Sequence, residues 1–129
     1  MPATPHPTEG ELALRRVLWA GGAPMTVREV HAVLSQQKDT AYTTVLKMLT
    51  IMADKGLVLR DDAQRTHTYR AVHAEPVVQA SLLKDLVRKA FSGSATALVQ
   101  RALDDAMTSP EELDAIAKLI ADAKKKRKA

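Results

Sequence analysis

The sequence predicts a mainly α protein with a small β-hairpin, and three observations predict it. Aromatic residues make up only 3% of a chain that is 46% hydrophobic. The core must therefore come from Leu, Val, Ala, Ile and Met, which favours helices. Apolar residues recur at helical spacing in six segments, each bounded by Ser/Thr starts or Gly/Pro stops. A single stretch, about 57–71, has strand character and is split by a polar loop.

The 129 residues suffice for one ordinary domain or two very small ones. Charged residues make up 26%, a soluble globular composition. The scarcity of aromatics argues against single-stranded nucleic-acid binding, which uses stacking platforms. There is no cysteine, which removes disulfides, zinc fingers, thiolate metal sites and cysteine nucleophiles. No apolar run approaches the roughly 20 residues needed to span a bilayer. The start, MPATPHPTEG, lacks a basic region followed by an apolar one, so the cytoplasm is the expected location, without membrane insertion. The net charge of +4 is unevenly spread. Residues 1–72 hold nine Lys/Arg and seven Asp/Glu, residues 73–123 five and eight, and the final KKKRKA adds five cations. Both ends can face a polyanion while the middle is acidic.

Residues 1–7 hold three prolines and are expected to be a disordered leader. Thr8 with Glu11 forms a capping-box pattern that opens the first helix, and Leu14, Val17 and Leu18 give its period. Gly21 and Gly22 stop it. Trp19 is expected to be a packing anchor. Ala23-Pro24-Met25 is extended, and Met25 is placed to complete a sheet with the hairpin. Thr26 with Glu29 repeats the capping pattern for a second helix over about 27–36, with Val27, Val30 and Leu34 as its stripe. A polar turn, Gln36 to Asp39, follows.

The stretch 39–56, DTAYTTVLKMLTIMADKG, organises what surrounds it. At 100° per residue, Tyr42, Val45, Leu46, Leu49, Met52 and Ala53 share one arc and are expected to face a core. Thr40, Thr43, Thr44, Lys47, Met48, Thr50, Ile51 and Asp54 share the other. Its first turns carry small hydroxyls and one lysine, the face that a helix entering a DNA major groove needs. An ordinary amphipathic helix with a solvated Thr/Lys face has the same pattern. Context favours the first reading. Thr40 opens the helix and Gly56 closes it. Strands at 57–60 and 66–71 follow, with Tyr69 packing on the helices and Arg65 at the tip of the loop between them. Two helices joined by a polar turn and followed at once by a hairpin constitute a winged helix-turn-helix.

His73-Ala74-Glu75-Pro76 reads as a hinge. Three helices follow, over about 76–91, 95–107 and from Pro110 onward. Leu82, Leu83, Leu86, Val87 and Phe91 stripe the first; Leu98, Val99, Ala102, Leu103 and Ala106 the second; Leu113, Ile116, Leu119 and Ile120 the third. Ser109, Pro110 and Glu112 open the last one as cap, first position and capping box. Helices this short cannot bury so many leucines alone, and a homodimer is the economical solution. The expected organisation is a leader at 1–7, a winged helix at 8–73, a helical dimerisation region at 74–123 and a basic tail at 124–129. The tail reads either as a solvated helix end or as an auxiliary phosphate contact.

In this order the chain resembles the penicillinase repressor family of bacterial transcription regulators (the BlaI/MecI/CopY group). The likeness rests on Leu18-Trp19, Thr26-Val27-Arg28-Glu29-Val30, Ala41-Tyr42-Thr43-Thr44-Val45, Lys55-Gly56-Leu57-Val58 and Tyr69-Arg70-Ala71. Phe91-Ser92-Gly93-Ser94 and Ser109-Pro110-Glu111-Glu112-Leu113 continue it. It covers about residues 8–123. The resemblance implies an N-terminal winged helix, a C-terminal dimerisation region, and repression through inverted repeats in promoters. By position it carries the groove-facing residues onto Thr43, Thr44 and Lys47. It also implies, in β-lactam-responsive members, cleavage at an Asn-Phe bond through a membrane-sensor pathway. Ala90-Phe91 stands there in this chain, so that mode of inactivation is not implied, and the partner would be an unidentified protease or sensor pathway. Copper-responsive members carry a C-terminal cysteine cluster, absent here, which excludes copper sensing by that route. Ile51 stands where some members have a basic residue, which points to a different operator preference.

The expected function is therefore that of a homodimeric repressor of double-stranded DNA operators. Thr43, Thr44 and Lys47 would read bases and adjoining phosphates, Thr26, Arg28 and Thr40 would grip the backbone, and Arg65 would anchor the wing. Leu82, Leu83, Leu86, Phe91, Leu98, Leu103, Leu113, Ile116 and Ile120 would form the dimer interface. The alternative is a winged helix used as a protein-interaction module, since fold alone does not settle function. Catalysis is not expected. The histidines at 6, 31, 67 and 73 are scattered, and no nucleophile triad, paired carboxylates, phosphate loop or HExxH pattern occurs. No cofactor or metal is expected.

Overall fold

The computed structural model of the protein describes residues 8–105 and 107–128. The expected leader at 1–7, with His6, lies outside them, as do Ala106 and Ala129. The elements run α1 (Glu9–Gly21), β1 (Met25–Thr26), α2 (Val27–Gln37), α3 (Tyr42–Asp54), β2 (Val58–Asp61), β3 (Thr68–Ala71), α4 (Glu75–Ala90), α5 (Ala95–Asp104) and α6 (Pro110–Lys128). The fold is mainly α with a small three-stranded antiparallel sheet, in the order β1-β3-β2.

Local chemistry sets the helix ends. Thr8 and Thr26 each accept a hydrogen bond from the backbone N–H of Glu11 and Glu29, and each glutamate accepts one from its threonine's N–H. Two orphan donors are thus satisfied reciprocally at each helix start. α1 ends on Gly22 at φ 69°, a left-handed conformation that a glycine adopts without steric cost. Gly56, at φ 79°, turns the chain from α3 into β2.

The chain divides into two compact units, Met1–Leu82 and Leu83–Ala129. In the first, Leu14, Val17 and Leu18 of α1 meet Val27, Val30 and Leu34 of α2 and Val45, Leu49 and Met52 of α3. Leu57, Val58 and Tyr69 close this core from the sheet side. The register pairs Val58 with Ala71 and Arg60 with Tyr69, and Met25 with Tyr69 on the other edge. Tyr69 therefore occupies the central strand, and its side chain is buried on the helices as expected. Trp19 anchors α1 through an indole N–H donated to the carbonyl of His73, 3.0 Å away.

Glu11 and Arg15 are buried charges on α1. Lys55, at the end of α3, reaches Glu11 at 2.9 Å. Burial alone would raise the Glu11 carboxyl's pKa, but hydrogen bonds from Lys55 and Thr8, with the lysine charge, outweigh it and hold it below its ordinary value. Arg15 is held below its usual range by burial, partly offset by the Glu11 charge.

The structure corrects several boundaries and faces. Thr40 does not open α3. Its hydroxyl donates to the carbonyl of Lys38 at 2.8 Å, so Ala41 becomes the cap residue, with no side-chain cap bond. Tyr42 and Leu46 are not core: they are 45% and 41% exposed. Met48, placed on the open arc, is instead half-buried against the core. The hairpin strands are shorter on one side and shifted on the other, leaving Thr66 and His67 in the loop. α5 stops at Asp104 rather than 107.

In the second unit α4 continues from the first, and α5 starts at Ser94, whose hydroxyl accepts from the N–H of Ala97. The Ser109 hydroxyl accepts likewise from Glu112 at the start of α6. α6 runs on through the basic residues to Lys128. Among the described residues of this unit no hydrophobic side chain is buried. Leu83, Leu86, Val99, Leu103, Leu113, Leu119 and Ile120 are all exposed, while Phe91, Leu98 and Ile116 are half-buried. Leu82, the last residue of the first unit, is half-buried too.

Candidate nucleic-acid interface

The site is built on α3 and what flanks its first turns. The buried side of α3 is Val45, Leu49 and Met52, so the opposite side is presented outward by packing alone. Thr43, Thr44 and Lys47 lie on that outward side and are exposed. Thr43 and Lys47 stand one turn apart, on the same face. The α2–α3 turn is tied down behind them. The Thr40 carbonyl accepts from His31 Nε2 at 2.8 Å and from the Ser35 hydroxyl at 3.3 Å. A carbonyl only accepts, so His31 carries a proton on Nε2. The His31 ring also meets Tyr42 edge to face at 5.7 Å. Thr40 thus positions the start of α3 through its backbone, while its hydroxyl is engaged with Lys38.

A cleft of about 570 Å³ opens between α2, α3 and the hairpin loop. Thr26, Val27 and Arg28 line it from the start of α2, Tyr42 and Leu46 from α3, and Arg65, Thr66, His67 and Tyr69 from the hairpin. Three of the sequence-predicted residues, Thr26, Arg28 and Arg65, are brought together here. Thr43, Thr44 and Lys47 do not line the cleft and lie along the exposed side of α3 instead. Thr40 lines it neither. Thr26 has a structural duty as the α2 cap and a strand partner of Thr68, so its side chain serves the fold before any ligand.

The cations separate into two kinds. Lys55 is committed to Glu11, and Arg60 to Asp62 at 2.8 Å. The Asp62 charge first, then the Tyr69 contact, holds the Arg60 pKa above its ordinary value. His67 Nδ1 lies 3.6 Å from the same Asp62 carboxylate. Asp61 accepts from the N–H of Ala63 and shapes the loop that carries Arg65. Among the described residues, Arg28, Lys47 and Arg65 form no ion pair. Arg28 and Arg65 line the cleft beside Tyr42 and Leu46, and Lys47 lies on the exposed side of α3, which leaves all three cations free to meet an anion.

The helical wheel missed Tyr42 and Leu46 as surface residues, and strand alternation missed Thr66 and His67 as loop residues of the cleft. Among the described residues, no three of His, Cys, Asp and Glu gather to hold a metal ion, and no helix is long and apolar enough to cross a membrane.

The penicillinase repressor family matches residues 7–122 of the chain. The chain is 36% identical over 113 residues to the protein named transcriptional regulator BlaI of Mycobacterium tuberculosis strain CDC 1551 / Oshkosh, covering 87% of this chain and 80% of that one. The same figures hold for the transcriptional regulator BlaI of strain ATCC 25618 / H37Rv. A solved structure from work on the DNA recognition and protein interaction domains of HOP2 aligns with a TM-score of 0.42 at 22% identity, over 46% of this chain and 92% of that chain, and nothing about function follows from a likeness of that size. A match over nearly the whole length, on a small-sheet helical fold with this order of elements, places the chain in the penicillinase repressor family, a family of transcriptional repressors and not of enzymes.

Proposed function

We propose that this repressor acts as a homodimer that binds a near-palindromic operator in double-stranded DNA. The observation that carries the reading is a cleft beside α3 that brings Arg28 and Arg65 together; like Lys47 on the exposed side of that helix, they have no ion-pair partner among the described residues. Thr43, Thr44 and Lys47 read base edges and adjoining phosphates. Arg28 and Arg65 hold the backbone from the α2 start and the wing, with Thr26 and Thr40 fixing the approach of α2 and α3. Leu82, Leu83, Leu86, Phe91, Leu98, Leu103, Leu113, Ile116 and Ile120 pair with their copies. A 47-residue helical unit without a buried hydrophobic side chain among its described residues supports this, because such a unit needs a partner to hide its leucines. Two-fold symmetry then calls for two half-sites about one helical turn apart. Release of repression would fall to an unidentified protease or sensor pathway, and Ala90-Phe91 stands in place of an Asn-Phe bond.

Selection of duplexes from a random library by the purified protein, at two salt concentrations, tests the reading. A dyad-symmetric site is expected. Lys47→Ala should weaken binding and lower the salt slope by about 0.9 per protomer, whereas Lys84→Ala should do neither. Equal affinities for the two variants would sink the assignment of Lys47. Binding to a protein partner that ignores salt, with no DNA bound, would favour an interaction module instead.

A further inference from the structure

Leu46 stands out among the groups lining the cleft. It lies on α3 one turn after Tyr42, and both are exposed although the helical pattern assigns them to the core arc. An exposed leucine by itself signifies little. This one lines a cleft whose other walls carry Arg28 and Arg65, cations suited to a phosphate backbone, beside Thr26 and Thr66. A base edge presented to α3 there meets the Leu46 side chain, which offers no hydrogen bond, beside the ring of Tyr42. In the major groove, the apolar group that a base edge offers is the C5-methyl of thymine.

We propose that Leu46 is a specificity-determining residue that packs on the methyl group of one thymine in each half-site, with Tyr42 extending the apolar wall. This rests on the DNA-binding reading above and adds to it a named base. The division of labour is chemical. Arg28 and Arg65 position the backbone without reading sequence, Thr43, Thr44 and Lys47 supply polar contacts, and Leu46 supplies a contact that only thymine answers.

The probe is the tightest duplex from the library selection, with deoxyuridine replacing thymidine one position at a time in one half-site. The replacement removes a methyl group and leaves every hydrogen bond in place. At one thymine the wild-type full-length protein should lose about fourfold in affinity, the worth of one buried methyl group. Leu46→Ala should bind the parent duplex correspondingly more weakly and lose less than about twofold further at that position. Its thermal unfolding should match wild type, since the side chain is outside the core. Salt-sensitive binding by both proteins, with equal methyl sensitivity at every position or none at all, overturns the role of Leu46 and leaves the DNA-binding reading standing. Failure of any duplex to bind at low salt overturns both.

Discussion

Leu49 sits on the 13-residue α3 and Leu103 on the 10-residue α5, both amphipathic, yet Leu49 is wholly buried and Leu103 is 41% exposed. The difference lies in what the helices meet. α3 has α1 and α2 on one side and the small sheet on another, so its stripe is sealed within one chain. α5 lies between α4 and α6 in sequence, with no sheet beside it in its unit, and there no described hydrophobic side chain is buried. The same amphipathic code thus builds a sealed core in one unit and, in the other, leaves the described apolar side chains exposed or half-buried. Periodicity tells which face wants burial; the number of neighbouring elements tells whether the chain can supply it.

The contrast breaks most sharply under core truncation. Leu49→Ala should destabilise the protein by about 2–5 kcal/mol at any protein concentration, measured by urea unfolding. Leu103→Ala should act through the concentration dependence of unfolding, faint far below the dissociation midpoint and reaching its full size far above it. A concentration-independent loss of the same size for Leu103→Ala would show that the second unit keeps a core of its own. Next in size is the double change Leu83→Asp with Leu86→Asp. It should yield monomers in sedimentation equilibrium while the near-ultraviolet signal of Tyr69 and Trp19 persists, because both lie in the first unit. A dimer that survives the two aspartates would move the interface elsewhere.

Smaller effects sharpen the account of the first unit. Glu11 keeps its charge to a lower pH folded than unfolded, so its contribution is complete above pH 4.5 and fades as pH falls from there through the lower native value. Glu11→Gln should cost about 1–2 kcal/mol near neutrality, discounted because Lys55 is half in water. It should also flatten the acid limb of the stability curve. An unchanged limb would assign acid sensitivity to other carboxylates. Smallest is Thr26→Ala, expected to cost about 1 kcal/mol through the lost α2 cap. Thr26→Ser should restore it, and a Ser variant as unstable as Ala would shift the cost to the strand pairing with Thr68.

Much of this was legible locally. The reciprocal pairs Thr8/Glu11 and Thr26/Glu29, the stop at Gly22 and the burial of Tyr69 are all written within a few residues of where they act. What escaped depends on distant partners. The Lys55–Glu11 bridge joins residues 44 apart in sequence, and nothing near either residue announces it. Tyr42 and Leu46 fall in the apolar arc of α3, but a wheel carries no record of where the neighbouring helices end. Thr40 looked like a cap by residue type; its hydroxyl found the Lys38 carbonyl first, and a hydroxyl so engaged no longer serves the helix start. The cleft likewise joins Thr26, Leu46 and Arg65, residues far apart in the chain, so its lining was visible only as separate expectations.

The bond from the Trp19 indole to the His73 carbonyl has an optical consequence. Trp19 is the chain's single tryptophan, so its fluorescence reports one place, the junction where α1 holds the segment leading into α4. Release of that segment would expose the indole to water and shift its emission to the red, while far-ultraviolet dichroism sums every helix. Emission and dichroism traces recorded on one sample will superimpose if the root of α4 lets go with the rest of the molecule. They will separate if it lets go alone, and the protein needs no attached dye to make the distinction.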